Sequence, residues 1–122
     1  MEAKEFEFNI PISQEQIGSL EIEPQTLLDF IPAAQTDKLK DFVFDALGNK
    51  DGSPEVGNLK VAKFKFDKAK NKGSFRLKFD IDRRYCCSDT ESCSSDYVDF
   101  VFTTAGKNML AKGNYFDWTL NN

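Results

Sequence analysis

Three cysteines and a run of lysines are the residues whose types and spacing suggest chemistry. Cys86 and Cys87 are adjacent, Cys93 follows six residues on, and Asp89, Glu91 and Asp96 lie close by. Thiolates are soft ligands that suit zinc, and a carboxylate can complete a tetrahedron. A structural zinc site, however, draws on two separated Cys-x-x-Cys or His pairs, and neither is present. Adjacent cysteines on an extended chain also point to opposite faces. The carboxylates lack the spacing and glycine of an EF-hand loop. Arg83 and Arg84, just upstream, are expected to favour a thiolate, so a redox or metal role for Cys86, Cys87 and Cys93 is one reading. A disulfide from Cys93 to either neighbour would need an oxidising compartment. Reduced, unliganded thiols in a loop carry more weight, because a fourth ligand is missing.

The lysines are concentrated. Residues 60–84 hold 10 Lys and Arg against 3 Asp, a net +7, in a chain whose net charge is −4. Lys60, Lys63, Lys65, Lys68, Lys70, Lys72, Arg76, Lys78, Arg83 and Arg84 form a candidate anion-binding strip. The plainer reading is a solvated strand face, its charge offset by Glu5 and Glu7 if the first strand lies alongside. Nucleic acid fits poorly. The aromatics alternate with the lysines and point away from them, leaving no stacking platform, and an acidic chain steers poorly toward phosphates. A charged protein contact fits better. The candidate binding residues are Lys68, Lys70, Lys72, Arg76, Lys78, Arg83 and Arg84; charge pairing should neutralise the middle of the strip, so its surplus lies at the turn, Lys68, Lys70 and Lys72, and at Arg83-Arg84.

Enzymic chemistry has little to work with. There is no histidine, which removes the commonest general base and the Ser-His-Asp triad. No pair of carboxylates is singled out by spacing, and the chain has no phosphate loop, Gly-x-Ser-x-Gly or dinucleotide fingerprint. The expectation is a protein that is not an enzyme and needs no cofactor.

The elements that would position these residues are strands. Leu59 to Asp82 alternates Phe and aliphatics with Lys, Arg and Asp, the signature of a hairpin with one buried and one wet face. Ala62, Phe64 and Phe66 are expected to share the inner face with Phe75, Leu77, Phe79 and Ile81. A register pairing Phe66 with Leu77, Asp67 with Arg76 and Lys63 with Asp80 turns charge repulsions into attractions and leaves Asn71-Lys72 as the turn. Glu5 to Ile12 alternates likewise, and Pro11, which has no amide hydrogen, places that strand at an edge or ends it. Ser13 to Gln16 reads as a turn or one helical turn, and Leu20 to Ile22 as a short strand. Leu27 to Ile31 is an apolar cluster stopped by Pro32. Asp37 to Leu47 has the three-four spacing of a helix, with Thr36 or Asp37 as N-cap and Gly48-Asn49 as stop. Arg83 to Asp96 breaks the alternation and reads as a loop. Tyr97 to Thr104 resumes as a strand with Val98, Phe100 and Phe102 inward. Met109 to Leu120 changes phase before Phe116, Trp118 and Leu120, which implies a bulge at Gly113-Asn114.

At 122 residues, 40% apolar and 30% charged, the chain has the size and composition of a single soluble domain, residues 1–122. Its 12 Phe against 1 Trp and 3 Tyr favour a β-rich core. No apolar run reaches membrane-spanning length, and the acidic MEAKEFEF lacks a basic-then-apolar signal. With an odd number of cysteines, the expected site is the cytoplasm, or else the chain begins after a removed signal. The fold class expected is mainly β: five or six antiparallel strands in a curved sheet, sandwich or small barrel with one packed helix. A compact α+β sheet with the helix on one face is the alternative. Three functions remain open: a protein-interaction or self-assembly module using a charged sheet face or edge strand, a small-barrel carrier of an apolar ligand, and the thiol site.

Overall fold

Five antiparallel strands make one sheet in the order β1-β5-β4-β3-β2. The computed structural model describes residues 4–47, 52–84 and 91–115. The strands are β1 (Lys4–Pro11), β2 (Glu55–Asp67), β3 (Lys72–Arg84), β4 (Glu91–Ala105) and β5 (Asn108–Tyr115). β2 to β5 form a meander, and β1 joins β5 along an unbroken register from Lys4↔Tyr115 to Pro11↔Asn108. β1 and β2 are therefore the two edges, as Pro11 implied for β1. They do not pair with each other, so the sheet is open and not a barrel. Glu5 and Glu7 consequently stand on the edge opposite the basic hairpin and do not offset it.

The chain crosses from one edge to the other through a helical layer. α1 (Gln14–Leu20) is followed by a 3-10 turn at Pro24–Thr26, α2 (Leu27–Phe30) and α3 (Ala33–Ala46). α1 starts in a capping box: the Ser13 side chain accepts from the Gln16 amide while Gln16 accepts from the Ser13 amide. Leu20 closes this helix and is buried, so the short strand expected at Leu20 to Ile22 does not form. α3 begins at Ala33, directly after Pro32, and the anticipated caps Thr36 and Asp37 lie inside it. Pro32 supplies the start because its own amide is not needed there. The helix stop at Gly48-Asn49 lies outside the described residues.

The helices and the inner face of the sheet share one core. Ile17, Leu20, Leu27, Leu39, Val43 and Leu47 from the helical side meet Phe8, Ile10, Leu77, Phe79, Phe100 and Met109 from the sheet. The phenylalanines touch each other in a continuous row. Phe42 meets Phe6, Phe6 meets Phe8, Phe8 meets Phe100, and Phe100 stacks on Phe75 at 5.1 Å. Phe75 then meets Phe102, which stacks with Phe64 and Phe66. This accounts for the excess of Phe as packing between rings.

Two glycines make room for that row. Gly73 lies opposite Phe102, and a Cβ there would collide with the ring and with the Lys65 carbonyl. Gly113 lies opposite Phe100, where a Cβ would sit 2.8 Å from both Phe100 and Val98. β5 keeps strict alternation from Asn108 to Tyr115, so the bulge expected at Gly113-Asn114 is absent. Gly113 simply takes an inward position that a side chain could not share. Phe116, Trp118 and Leu120 lie outside the described residues.

The bulges are in β2 instead. Its register against β3 shifts between Gly57 and Lys60 and again between Ala62 and Lys65. Asn58 and Lys63 take the left-handed conformation at these points, with φ of 53° and 52°. Each shift adds a residue and changes which face follows. Val61 therefore pairs with Leu77 in the core, while Ala62 lies opposite Arg76 on the other face. The expected pairing of Phe66 with Leu77 is replaced by Phe66 with Gly73, and Asp67 pairs with Lys72. The tip is Lys68 to Asn71. Asp67 accepts from the Ala69 and Lys70 amides, and Asn71 holds φ at 53°. Cross-strand charge pairs are worth only about 0.2–1 kcal/mol each, less than the turn and the fit of Phe102 over Gly73. The structure even sets Lys60 opposite Lys78.

Each edge is bonded at one place by a glutamine from the helical layer. The Gln25 carboxamide donates to the Leu59 carbonyl at 3.1 Å and accepts from the Val61 amide at 2.9 Å. On β1, Gln35 donates to the Asn9 carbonyl at 2.7 Å and accepts from the Asn9 amide at 2.8 Å. Each side chain bonds the edge as a neighbouring strand would, which blunts it as a template for pairing.

Candidate interaction face

Helices cover one side of the sheet and leave the other open. Alternation and register together place the outward residues in rows across the strands. One row runs Glu7, Lys112, Val101, Ser74, Lys65 from β1 to β2, and the next runs Glu5, Asn114, Asp99, Arg76, Ala62. A third carries Asn9, Leu110, Thr103, Lys72 and Asp67. Toward the far end, Tyr97 lies beside Lys78 and Lys60.

At the middle of this face Arg76 is held from two sides. Its guanidinium donates to Asp99 through Nε at 2.8 Å and Nη2 at 3.1 Å, a bidentate pair. The same group lies 3.8 Å from the centre of the Tyr97 ring. Bonding to Asp99 pushes the arginine pKa up, so it stays charged. Beside it, Val101 is 66% exposed, Tyr97 40% and Leu110 38%. Two shallow depressions flank Val101, one lined by Lys72, Leu110 and Lys112, the other by Lys63, Lys65 and Arg76. The result is an apolar and aromatic centre rimmed by lysines. Tyr and Arg are the residue types that most often anchor protein interfaces.

The expected binding residues are only partly brought together. Lys72, Arg76 and Lys78 share the open face, Lys68 and Lys70 sit on the hairpin tip, and Arg83 has the parity of the inward Ile81. Arg84 ends β3 with the parity of Asp82. Arg76 is committed to Asp99 and is not a free cation. Tyr97, Val101, Leu110 and Lys112 were missed as a group. The signal for them was available: an apolar residue at an outward position of an alternating strand, as at Val101 and Leu110.

The loop expected from Arg83 to Asp96 is mostly strand. β3 runs to Arg84 and β4 starts at Glu91, with Asp82 opposite Cys93. Cys86 and Cys87 lie outside the described residues. Cys93 is exposed on β4, and its thiol donates to the Asp82 carboxylate, which with partial desolvation raises its pKa from 9.0 to about 11. The nearest charges are the acids of β3, so the thiolate expected from Arg83 and Arg84 is disfavoured at Cys93. Nearby, Asn58 and Ser95 donate to Asp80 at 2.7 and 2.9 Å and, with Lys60, hold its carboxyl below the usual range. Among the described residues no group of His, Cys, Asp and Glu is arranged to hold a metal ion.

These features define a mainly β protein with a helical layer on one face and an open, lysine-rimmed sheet on the other. No family model, curated protein or solved structure matches the chain. No helix among the described residues is long and apolar enough to cross a membrane.

Proposed function

We propose that the protein is a non-catalytic interaction module that binds a protein partner through the open face of its sheet, in the cytoplasm. The observation that carries this is the exposed Tyr97, Val101 and Leu110 around the Arg76–Asp99 pair, inside a rim of lysines. Apolar side chains at outward positions are solvated at a cost that a partner would relieve. The face is favoured over the edges because Gln25 and Gln35 already bond backbone groups of Leu59, Val61 and Asn9 there. The cytoplasmic reading rests on the odd number of cysteines. A catalytic role has less support. Hydrogen bonds that lower the Asp80 pKa make it a weak proton acceptor, and Cys93 is held protonated, so neither is tuned as a base or a nucleophile. A carrier role has less support as well, since the sheet is open and its phenylalanines pack on one another.

Selection of random displayed peptides on the purified protein tests the reading. The expected result is enrichment of peptides that combine acidic and apolar residues, with binding lost in the double variant Val101→Asp, Leu110→Asp. Both positions are exposed, so circular dichroism should show that variant folded. Failure to enrich any sequence, or binders indifferent to the double variant, would overturn it.

A further inference from the structure

The open face is self-complementary, and we infer that its occupant is a second copy of the same chain. This inference rests on the face being an interaction surface and adds the identity of the partner. The row through Val101, which reads Glu7, Lys112, Val101, Ser74, Lys65, is acidic at the β1 end and basic at the β2 end. Five strands put β4 in the middle. Two copies stacked face to face about a twofold axis parallel to β4 place β1 of one over β2 of the other. Glu7 then faces Lys65 of the second copy, and Lys65 faces its Glu7. Val101 meets its own counterpart on the axis, where both are removed from water.

The alternative twofold axis runs across the strands and sets β1 over β1, Glu7 against Glu7 and Lys65 against Lys65. Like charges in such positions are repelled, so the Glu7 and Lys65 ends favour the axis along β4, while Asp99, which also falls on that axis, is offset within its own copy by Arg76. Sheets stacked in this way align at about −30°, the arrangement of ordinary β-sandwiches. Area allows it too. Five strands at about 4.8 Å spacing and eight to nine residues at about 3.4 Å give a face of roughly 24 by 30 Å. That is about 700 Å² per copy, near the roughly 800 Å² of a stable interface. A closed twofold contact uses the whole face once and stops at two copies.

Sedimentation velocity over a concentration series, with charge-swapped variants, decides the matter. The expected wild-type result is a dimer that weakens at high salt. Glu7→Lys and Lys65→Glu should each shift dissociation at least tenfold toward monomer. Mixed one to one, these two variants should dimerise with each other, and the double swap Glu7→Lys, Lys65→Glu should dimerise alone. Both positions of the swap are exposed strand sites, so circular dichroism serves as the check on folding. A wild type that stays monomeric up to several hundred micromolar overturns the inference, as does a dimer indifferent to the single swaps. A monomer that still selects peptides on Val101 and Leu110 would keep the interaction module and reject only the second copy as its partner.

Discussion

Removing the carboxamide of Gln25 should destabilise the fold and expose β2 as a pairing edge. Gln25 makes two bonds to the backbone, at 3.1 Å to the Leu59 carbonyl and 2.9 Å from the Val61 amide, the second of them partly buried. A net hydrogen bond contributes about 0.5–1.5 kcal/mol, and a buried group left without a partner costs about 1–3 kcal/mol. Gln25→Ala is therefore expected to cost about 2 kcal/mol. Gln35→Ala removes two bonds of similar length to Asn9, but there water can take their place, so about 1 kcal/mol is expected. At a urea slope of about 1.5 kcal/mol per M, these losses move the midpoint by about 1.3 and 0.7 M. Equilibrium unfolding in urea, followed by circular dichroism, measures both. Gln25→Glu is the informative companion, because it keeps an acceptor for Val61 and loses the donor to Leu59. Its loss should fall between wild type and alanine. If Gln25→Ala leaves the midpoint within 0.2 M or so of wild type, the edge bonds are not stabilising and the reasoning fails.

The glycines give a contrast within one protein. Gly73→Ala and Gly113→Ala force a Cβ into contacts under 3.0 Å with rings and backbone, and each should cost about 1–3 kcal/mol, whereas Gly18→Ala in α1 meets nothing within 4 Å and should stabilise by about 0.5–1 kcal/mol. Thermal unfolding of the three variants would show the opposite signs. Thr104 is buried with its hydroxyl unbonded, so Thr104→Val, which keeps the shape, should raise stability by about 1 kcal/mol in the same assay. Cys93 supplies a pH dependence. Its thiol holds its proton up to about 11 in the folded chain but releases it near 9 when unfolded, so its contribution is complete below about 9 and lost as pH rises through 11. Asp82→Asn removes the main cause and should speed alkylation of Cys93 at pH 9, read by mass spectrometry of its peptide; an unchanged rate contradicts the assignment.

Alternation alone located β1, the hairpin strands and the inward Val98, Phe100 and Phe102, because a period of two is a local property of the backbone. The same alternation, carried outward, marks Val101 and Leu110 as apolar residues on the wet side. It did not reveal the register of β2 on β3. Bulges at Asn58 and Lys63 are set by what the strand must cover, and weak charge pairs pointed to the wrong pairing. The serine-rich stretch from Glu91 read as loop because it lacks apolar residues on either side, although pairing with β3 extends it.

Local pattern therefore determined the class of fold, the edge position of β1 and the concentration of lysines around β2 and β3. Tertiary structure decided what those lysines mean. By inserting β5 and β4 between β1 and the hairpin, it separated Glu5 and Glu7 from the basic strands and set Glu7 and Lys65 at opposite ends of one row. It also brought Gln25 and Gln35 from the helical layer onto the two edges. The physical reason is the same in both cases: strand order and layer packing join residues far apart in sequence, and periodicity along the chain carries no information about which strand becomes a neighbour.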